Sequence, residues 1–284
     1  MPSSQVTVRR AGAQVGAFIE NVDLSRPLAD ADFAIIRQAL AEHCVIFFRD
    51  QELSEEQHIA LANRFGRINI NRFFTPVPGY PQIAEVRKEP HQRSNIGSIW
   101  HTDHSYDVNP ALGSVLYARI VPEIGGDTIF ANMGAVFDSL SPGLQQTLQG
   151  LRALHSTRHV FGKDRPKTPG EDREGRIGNV ELAVQDTVHP VVIRHPDSGR
   201  KILYVNPDFT VGIEGWLPGE SKALLDYLYA QAQRPDFQYR FQWKKGSLAF
   251  WDNRASWHYA LNDYHGHRRL MHRITIEGVP LTAA

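Results

Sequence analysis

The stretch SVLYARIVPEIGGDTIFA, residues 114–131, sets the reading of the whole chain. Its two halves, Ser114–Ile120 and Asp127–Ala131, carry the alternating apolar pattern of half-buried strands. Gly125 and Gly126 lie between them as turn residues, so the pair is expected to form a β-hairpin. Outward from this centre, apolar runs mark further strands at Cys44–Phe48, Val188–His195, Lys201–Asn206, Phe237–Gln242, Ser247–Asp252 and Met271–Glu277. Helical spacing appears at Ala29–His43, Ala135–Leu154 and Pro218–Ala232. Ser54 with Gln57 reads as a capping box that opens another helix, ended by Gly66. Between 69 and 99 the prolines Pro76, Pro78, Pro81 and Pro90 predict loop, with one strand at Ile83–Arg87. The sum is a mainly β fold with α insertions, a sandwich or barrel with peripheral helices. No linker or repeat interrupts it, so residues 1–284 are expected to form a single domain. In Gly162–Gly178, nine of 17 residues are charged and only Ile177 is a large apolar, which predicts a mobile lid or a surface insertion.

Composition narrows the function. At 284 residues and 42% apolar the chain can bury a core without disulfides. Its 31 Lys and Arg balance 31 Asp and Glu, so no net field draws in a polyanion and no nucleic-acid partner is expected. The opening MPSSQVTVRRAGAQ lacks an apolar run, and no 18-residue apolar run follows; a cytoplasmic protein without a membrane partner is expected. The single Cys44 cannot build a thiolate cluster, so a metal would sit on carboxylates and some of the 13 His. Of the basic residues 24 are Arg, whose planar fork suits carboxylates and other oxyanions. Oligomeric state is not legible; a homo-oligomer, dimer or tetramer, stays open.

The strongest local signal is IWHTDHSY, residues 99–106. His101 and Asp103 are two apart and share a face if they lie on a strand, whereas His104 would point to the other face. The best third donor is His258 in FWDNRASWHYAL, just after the strand ending near Trp251. Two His and one carboxylate on one side of a metal leave positions open, as in non-haem Fe(II) oxygenases. Arg269 and Arg273 are four apart, so on a strand both would look into one cavity, equipped for two carboxylate-like groups. Asp252 and Asn253 are expected to orient the site by hydrogen bonds. His265, His267 and His272 are expected to be solvated, and Cys44 to be inert core.

The ordered set WHTD (100–103), GGDT (125–128), WDNR followed by His258, and RRLMHR (268–273) resembles the taurine dioxygenase (TauD/TfdA) family of Fe(II)- and 2-oxoglutarate-dependent dioxygenases. NVDLSRPL (21–28), VIFFRDQ (45–51) and RFGRI (64–68) are similar to segments of that family, so the resemblance spans nearly the whole chain. It implies a double-stranded β-helix, or jelly roll, with helical insertions. It implies Fe(2+) ligands at His101, Asp103 and His258, and Thr128 with Arg269 on the distal carboxylate of the cosubstrate 2-oxoglutarate. It further implies Arg273 on an anionic group of the substrate. The implied reaction consumes O2, converts 2-oxoglutarate to succinate and CO2, and hydroxylates the substrate.

Taurine-specific members have His where this chain has Asn71 and Asn where it has Gly97, which points away from taurine itself. Phe74, Phe161 and Phe209 fall where the family places pocket walls. An organic anion with an apolar body is therefore expected: an alkylsulfonate, alkyl sulfate or aryloxyalkanoate. Two competing readings use the same fold. One is a metal-dependent hydrolase in which Zn(2+) on the same three residues activates water; it gives Arg269 no task. The other is a non-catalytic jelly-roll binding protein, which would normally have lost a ligand.

Overall fold

The structure, a computed structural model, describes residues 6–163, 165, 172–173 and 175–284. A nine-stranded sheet runs in the order Thr7–Arg10, Ala17–Glu20, Val45–Phe48, Leu248–Asp252, Gly113–Ile120, Arg269–Ile276, Tyr80–Lys88 and Pro76–Val77. Ile68–Asn69 is added beside Arg269–Ile276. A smaller sheet of Gln238–Phe241, Thr128–Asn132 and Ser256–Ala260 lies against its inner face. Aromatic side chains fill the space between them: Phe47 stacks on Phe241 at 4.2 Å, and Phe130 meets Trp251 at 5.7 Å. Val45–Phe48 and Leu248–Asp252 are buried throughout because each is covered on both faces.

The outer face of the large sheet is closed by two helices, Asp30–His43 and Glu55–Phe65. Ile36, Leu40 and Leu61 pack there with Ile46, Phe48, Phe250 and Ile274. The Ser54 capping box has both of its hydrogen bonds, to and from Gln57. Helix Pro218–Ala232 and a further sheet of Asp186–Pro190, Arg152–Ser156 and Thr210–Ile213 flank the sandwich. The architecture is a jelly roll with peripheral helices.

The central hairpin does not form. Gly113–Ile120 pairs with Leu248–Asp252 and Arg269–Ile276, whereas Thr128–Asn132 pairs with Gln238–Phe241 and Ser256–Ala260. The two strands thus belong to opposite sheets, and residues 121–127 form the corner between them. Pro122 cannot donate to a ladder. Gly125 and Gly126 both take positive φ, and Gly126 N donates to Asp263 Oδ1 at 2.7 Å. The expected helix at 135–154 is also three pieces: helices Met133–Asp138 and Pro142–Gln149, then strand Arg152–Ser156. Pro142 starts a new helix at its first position, and Gly150 ends it. In 69–99 the strand is longer than expected, Tyr80–Lys88, because its prolines sit near the sheet edge.

Candidate active site

His101 and His258 form an isolated β-bridge: His258 N donates to His101 O at 2.8 Å, and His101 N donates to His258 O at 3.2 Å. The backbone therefore fixes two imidazoles side by side, ring centres 4.0 Å apart. The chain then turns at 103–106, so His101 and Asp103 are not neighbours on one strand as expected. The turn still brings Asp103 Oδ1 to 3.7 Å from His101 Nε2 and Oδ2 to 3.9 Å from His258 Nε2. All three are buried, and one donor atom from each lies within 4.8 Å of the others, a separation a metal ion could bridge.

The donors are prepared for a cation. Nδ1 of His101 lies 2.7 Å from the Ile99 carbonyl and donates to it, which leaves the Nε2 lone pair facing the cluster. Burial, then His101, hold His258 well below the usual imidazole range, so it is neutral. Burial alone would raise the Asp103 carboxyl, but Arg273, His258, His101 and His104 outweigh it and hold it well below the usual range. Ser114 Oγ donates to Asp103 Oδ2 at 2.8 Å, and Asp103 N donates to Asn253 Oδ1 at 3.3 Å. Asn253 therefore orients the site as expected. Asp252 does not: it binds His195 at 2.9 Å and Arg254 at 2.6 Å in a separate buried network. Successive residues of a strand point to opposite faces, and Asp252 is on the outward one.

The triad opens into a cavity of about 260 Å³. Thr128, Arg269, Arg273, Asn71, Phe74, Phe161 and Phe209 all border it, so the structure brings every candidate together. Arg269 is 5% exposed, its Nε donates to Gly126 O at 3.1 Å, and among the described residues no carboxylate pairs with it. Burial lowers the proton affinity of its guanidinium. A Cβ on Gly126 would stand 3.2 Å from Arg269 Cδ, so the glycine admits that side chain. Thr128 Oγ1 accepts from Trp243 Nε1 at 3.0 Å, which leaves the hydroxyl proton free for another acceptor. Arg273 donates to Asp103 Oδ1 at 3.2 Å and lies 4.4 Å from the centre of the Phe74 ring.

Asn71 is half committed to the backbone, since Oδ1 accepts from Phe73 N and Phe74 N at 2.9 and 3.0 Å. The three Phe belong to one buried cluster with Phe73 and Tyr106. Residues 164, 166–171 and 174 of the lid candidate lie outside the described residues. Of the rest, Asp172, Arg173, Arg176 and Ile177 border the cavity, and Ile177 bridges to Phe74.

Sequence reasoning missed His104, Ser114, Trp243 and Asp208. His104 borders the cavity instead of facing away, because it takes the left-handed conformation (φ 61) in a turn; its Nδ1 lies 2.9 Å from Asp107 Oδ2. His272 is buried, not solvated, with Nδ1 accepting from Arg119 Nε at 3.1 Å. Strand alternation from Arg273 would have placed His272 on the opposite, helix-covered face. Cys44 is buried and its thiol is pushed up to about 12 by burial and Asp252, so it is inert as expected.

A jelly roll with two His and one Asp at the mouth of a buried, cationic cavity defines the non-haem Fe(II) oxygenase class. Residues 7–275 match the family described as taurine catabolism dioxygenase TauD, TfdA family, and the chain belongs to it. It is 34% identical to an alkylsulfatase of Acinetobacter baylyi, over 100% of this chain and 88% of that protein. It is 31% identical to an alpha-ketoglutarate-dependent sulfate ester dioxygenase of Pseudomonas putida, over 96% and 90%. It is 32% identical to an (S)-phenoxypropionate/alpha-ketoglutarate-dioxygenase of Sphingobium herbicidovorans, over 94% and 93%.

Among solved structures, a taurine dioxygenase from Burkholderia xenovorans is similar with a TM-score of 0.82 and 34% identity, covering 99% of this chain and 93% of that one. AAD-2 in complex with Mn(II) and N-oxalylglycine also gives 0.82, at 26% identity and 98% and 100% coverage. The chain is an oxidoreductase of the Fe(II)- and 2-oxoglutarate-dependent dioxygenase type. The hydrolase and binding-protein readings do not fit these relatives.

Proposed function

We propose that His101, Asp103 and His258 hold Fe(II), that Thr128 and Arg269 hold the distal carboxylate of 2-oxoglutarate, and that Arg273 receives the anionic group of a small organic substrate. The observation that carries this reading is Arg269, a buried guanidinium without a carboxylate partner among the described residues, in the same cavity as the triad. A buried charge of that kind calls for an anion, and a dicarboxylate cosubstrate brings one. Bound there, Fe(II) with 2-oxoglutarate and O2 supplies the oxidation, giving succinate, CO2 and hydroxylated substrate.

The protein's own contribution is geometry. The β-bridge sets the spacing of the imidazoles, Ser114 aims the carboxylate, Asn253 holds the Asp103 backbone, and burial keeps His258 neutral. Phe74, Phe161 and Phe209 supply an apolar wall for the substrate body and keep water from the reacting carbon. Alkyl sulfates, alkylsulfonates and aryloxyalkanoates fit one Arg and three Phe, and the relatives named above act on sulfate esters and a phenoxypropionate. Residues 1–284 are read as one catalytic domain, and the described part of the lid candidate as part of its wall, because Asp172, Arg173, Arg176 and Ile177 border the cavity. A reducing, cytoplasmic compartment suits a site that needs ferrous iron.

The test is anaerobic addition of Fe(II) and 2-oxoglutarate, followed by a panel of those three anion classes. A visible charge-transfer band that shifts with one class, together with succinate release, is the expected result. Absence of the band in folded protein, or its persistence in His101→Ala, would overturn the reading.

A further inference from the structure

Asp208 borders the active-site cavity next to Phe209. Its turn is pinned by several hydrogen bonds. Asn206, fully buried, accepts from Phe209 N at 2.9 Å through its side-chain oxygen and donates from its own N to Thr210 Oγ1 at 2.9 Å. Asn206 Nδ2 donates to Ser105 Oγ at 3.0 Å, which ties this turn to the one carrying Asp103. The Asp208 carbonyl accepts from His159 Nε2 at 2.7 Å.

The carboxylate is the exception. Among the described residues no donor hydrogen-bonds to it, and His101, His159, Arg173 and, with opposite sign, Asp103 act on it only through space. Burial accordingly pushes its carboxyl above the ordinary aspartate value. A partly buried carboxylate without a donor is unfavourable by itself. Held at a cavity wall by a rigid turn, it is preorganised for a group that arrives with the ligand. The ligand's anion cannot be that group, and neither can 2-oxoglutarate, since both would repel it. A cation can. The cavity then offers complementary charge at two places, Arg273 for the anion and Asp208 for a cationic donor, with the Phe wall for the carbon chain between them.

We infer that Asp208 is a specificity-determining residue that accepts a hydrogen bond from a protonated amine on the substrate. The inference rests on the dioxygenase reading and narrows its substrate class to organic anions that also carry an ammonium group. Its physical basis is asymmetric. A pocket built to pair a polar group rejects the analogue that lacks it, because the pocket's own polar group is then left desolvated and unpaired.

The experiment compares 3-aminopropyl sulfate with propyl sulfate, two probes that differ only in the amine. Anaerobic calorimetry on protein loaded with Fe(II) and 2-oxoglutarate gives Kd, and succinate release gives KM. Wild type is expected to prefer the amine. Asp208→Asn, nearly isosteric, should weaken the amine probe by about 10-fold to 100-fold and should not weaken the propyl probe, which gains affinity to the extent that an unpaired carboxylate penalised it. Asp208→Ala should act in the same direction.

Equal losses for both probes would overturn the inference and assign Asp208 to structure or to a contact with Arg173. No preference in wild type would overturn it as well. Absence of succinate release with either probe, alongside an Asp208-dependent preference in calorimetry, would overturn the proposed turnover of sulfate esters and still support the amine contact.

Discussion

Arg273 Nη1 stands 3.2 Å from Asp103 Oδ1, both side chains buried. The arginine proposed for the substrate therefore also neutralises a proposed metal ligand. Arg273→Leu should leave an uncompensated carboxylate and cost the metal-free protein about 3–5 kcal/mol. Mn(II), a redox-quiet probe, should restore more of the lost Tm in the variant than it adds to wild type. Substrate KM should rise by about two orders of magnitude with the 2-oxoglutarate KM nearly unchanged. Thermal melting with and without Mn(II), and the two KM values, decide it.

Arg269 meets the protein through Gly126 O and not through a carboxylate. Arg269→Leu should therefore raise the 2-oxoglutarate requirement by about 100-fold while the Fe(II) requirement stays within about twofold. Parallel losses in both titrations would count against the role given to it.

Ser114 Oγ reaches Asp103 Oδ2 at 2.8 Å without touching the cavity's reacting centre. Ser114→Ala removes a hydroxyl that aims the carboxylate, and metal affinity should fall by about 10-fold to 100-fold. Competition with a chromophoric chelator measures this directly; an unchanged affinity would show that Arg273 and Asn253 suffice to orient Asp103.

Acid should destabilise the protein through histidines remote from the triad. Burial, with His272 and Arg119, depresses His58 to about 3; burial, with Arg119, depresses His272 to about 4. The unfolded chain takes up these protons below about 6.5 and the folded chain does not. Stability is therefore intact above that pH and falls as pH drops through the window from about 6.5 to about 3, by up to about 1.4 kcal/mol per pH unit for each proton. His58→Leu loses no full hydrogen bond, since neither ring nitrogen has one. Its urea midpoints between pH 7 and pH 5 should decline less steeply than those of wild type; equal slopes would exclude His58 as a source.

What the sequence made legible was local. The Ser54 capping box depends on residues three apart, and it formed as read. The H-x-D pair and His258 were found by donor type and order, although the backbone that joins them is a bridge and a turn, not a strand face. The hairpin at 114–131 failed because alternation reveals that two segments are strands, not which partners they take. Leu248–Asp252, more than 100 residues away in the chain, outcompetes the adjacent strand for Gly113–Ile120. Trp243 and Asp208 left no trace in the sequence, since each matters only through a neighbour that folding supplies. His272 is different: alternation from Arg273 already implied the opposite face, which the helices cover on a two-sided sheet.

The ladder contact between His101 and His258 has a consequence for the protein's life before it acquires iron. Two of its three donors are spaced by peptide groups that pair as the sheet closes, so the socket is cut by folding itself. Iron scarcity would then yield an idle but intact reserve of apoprotein, ready to load when the supply returns.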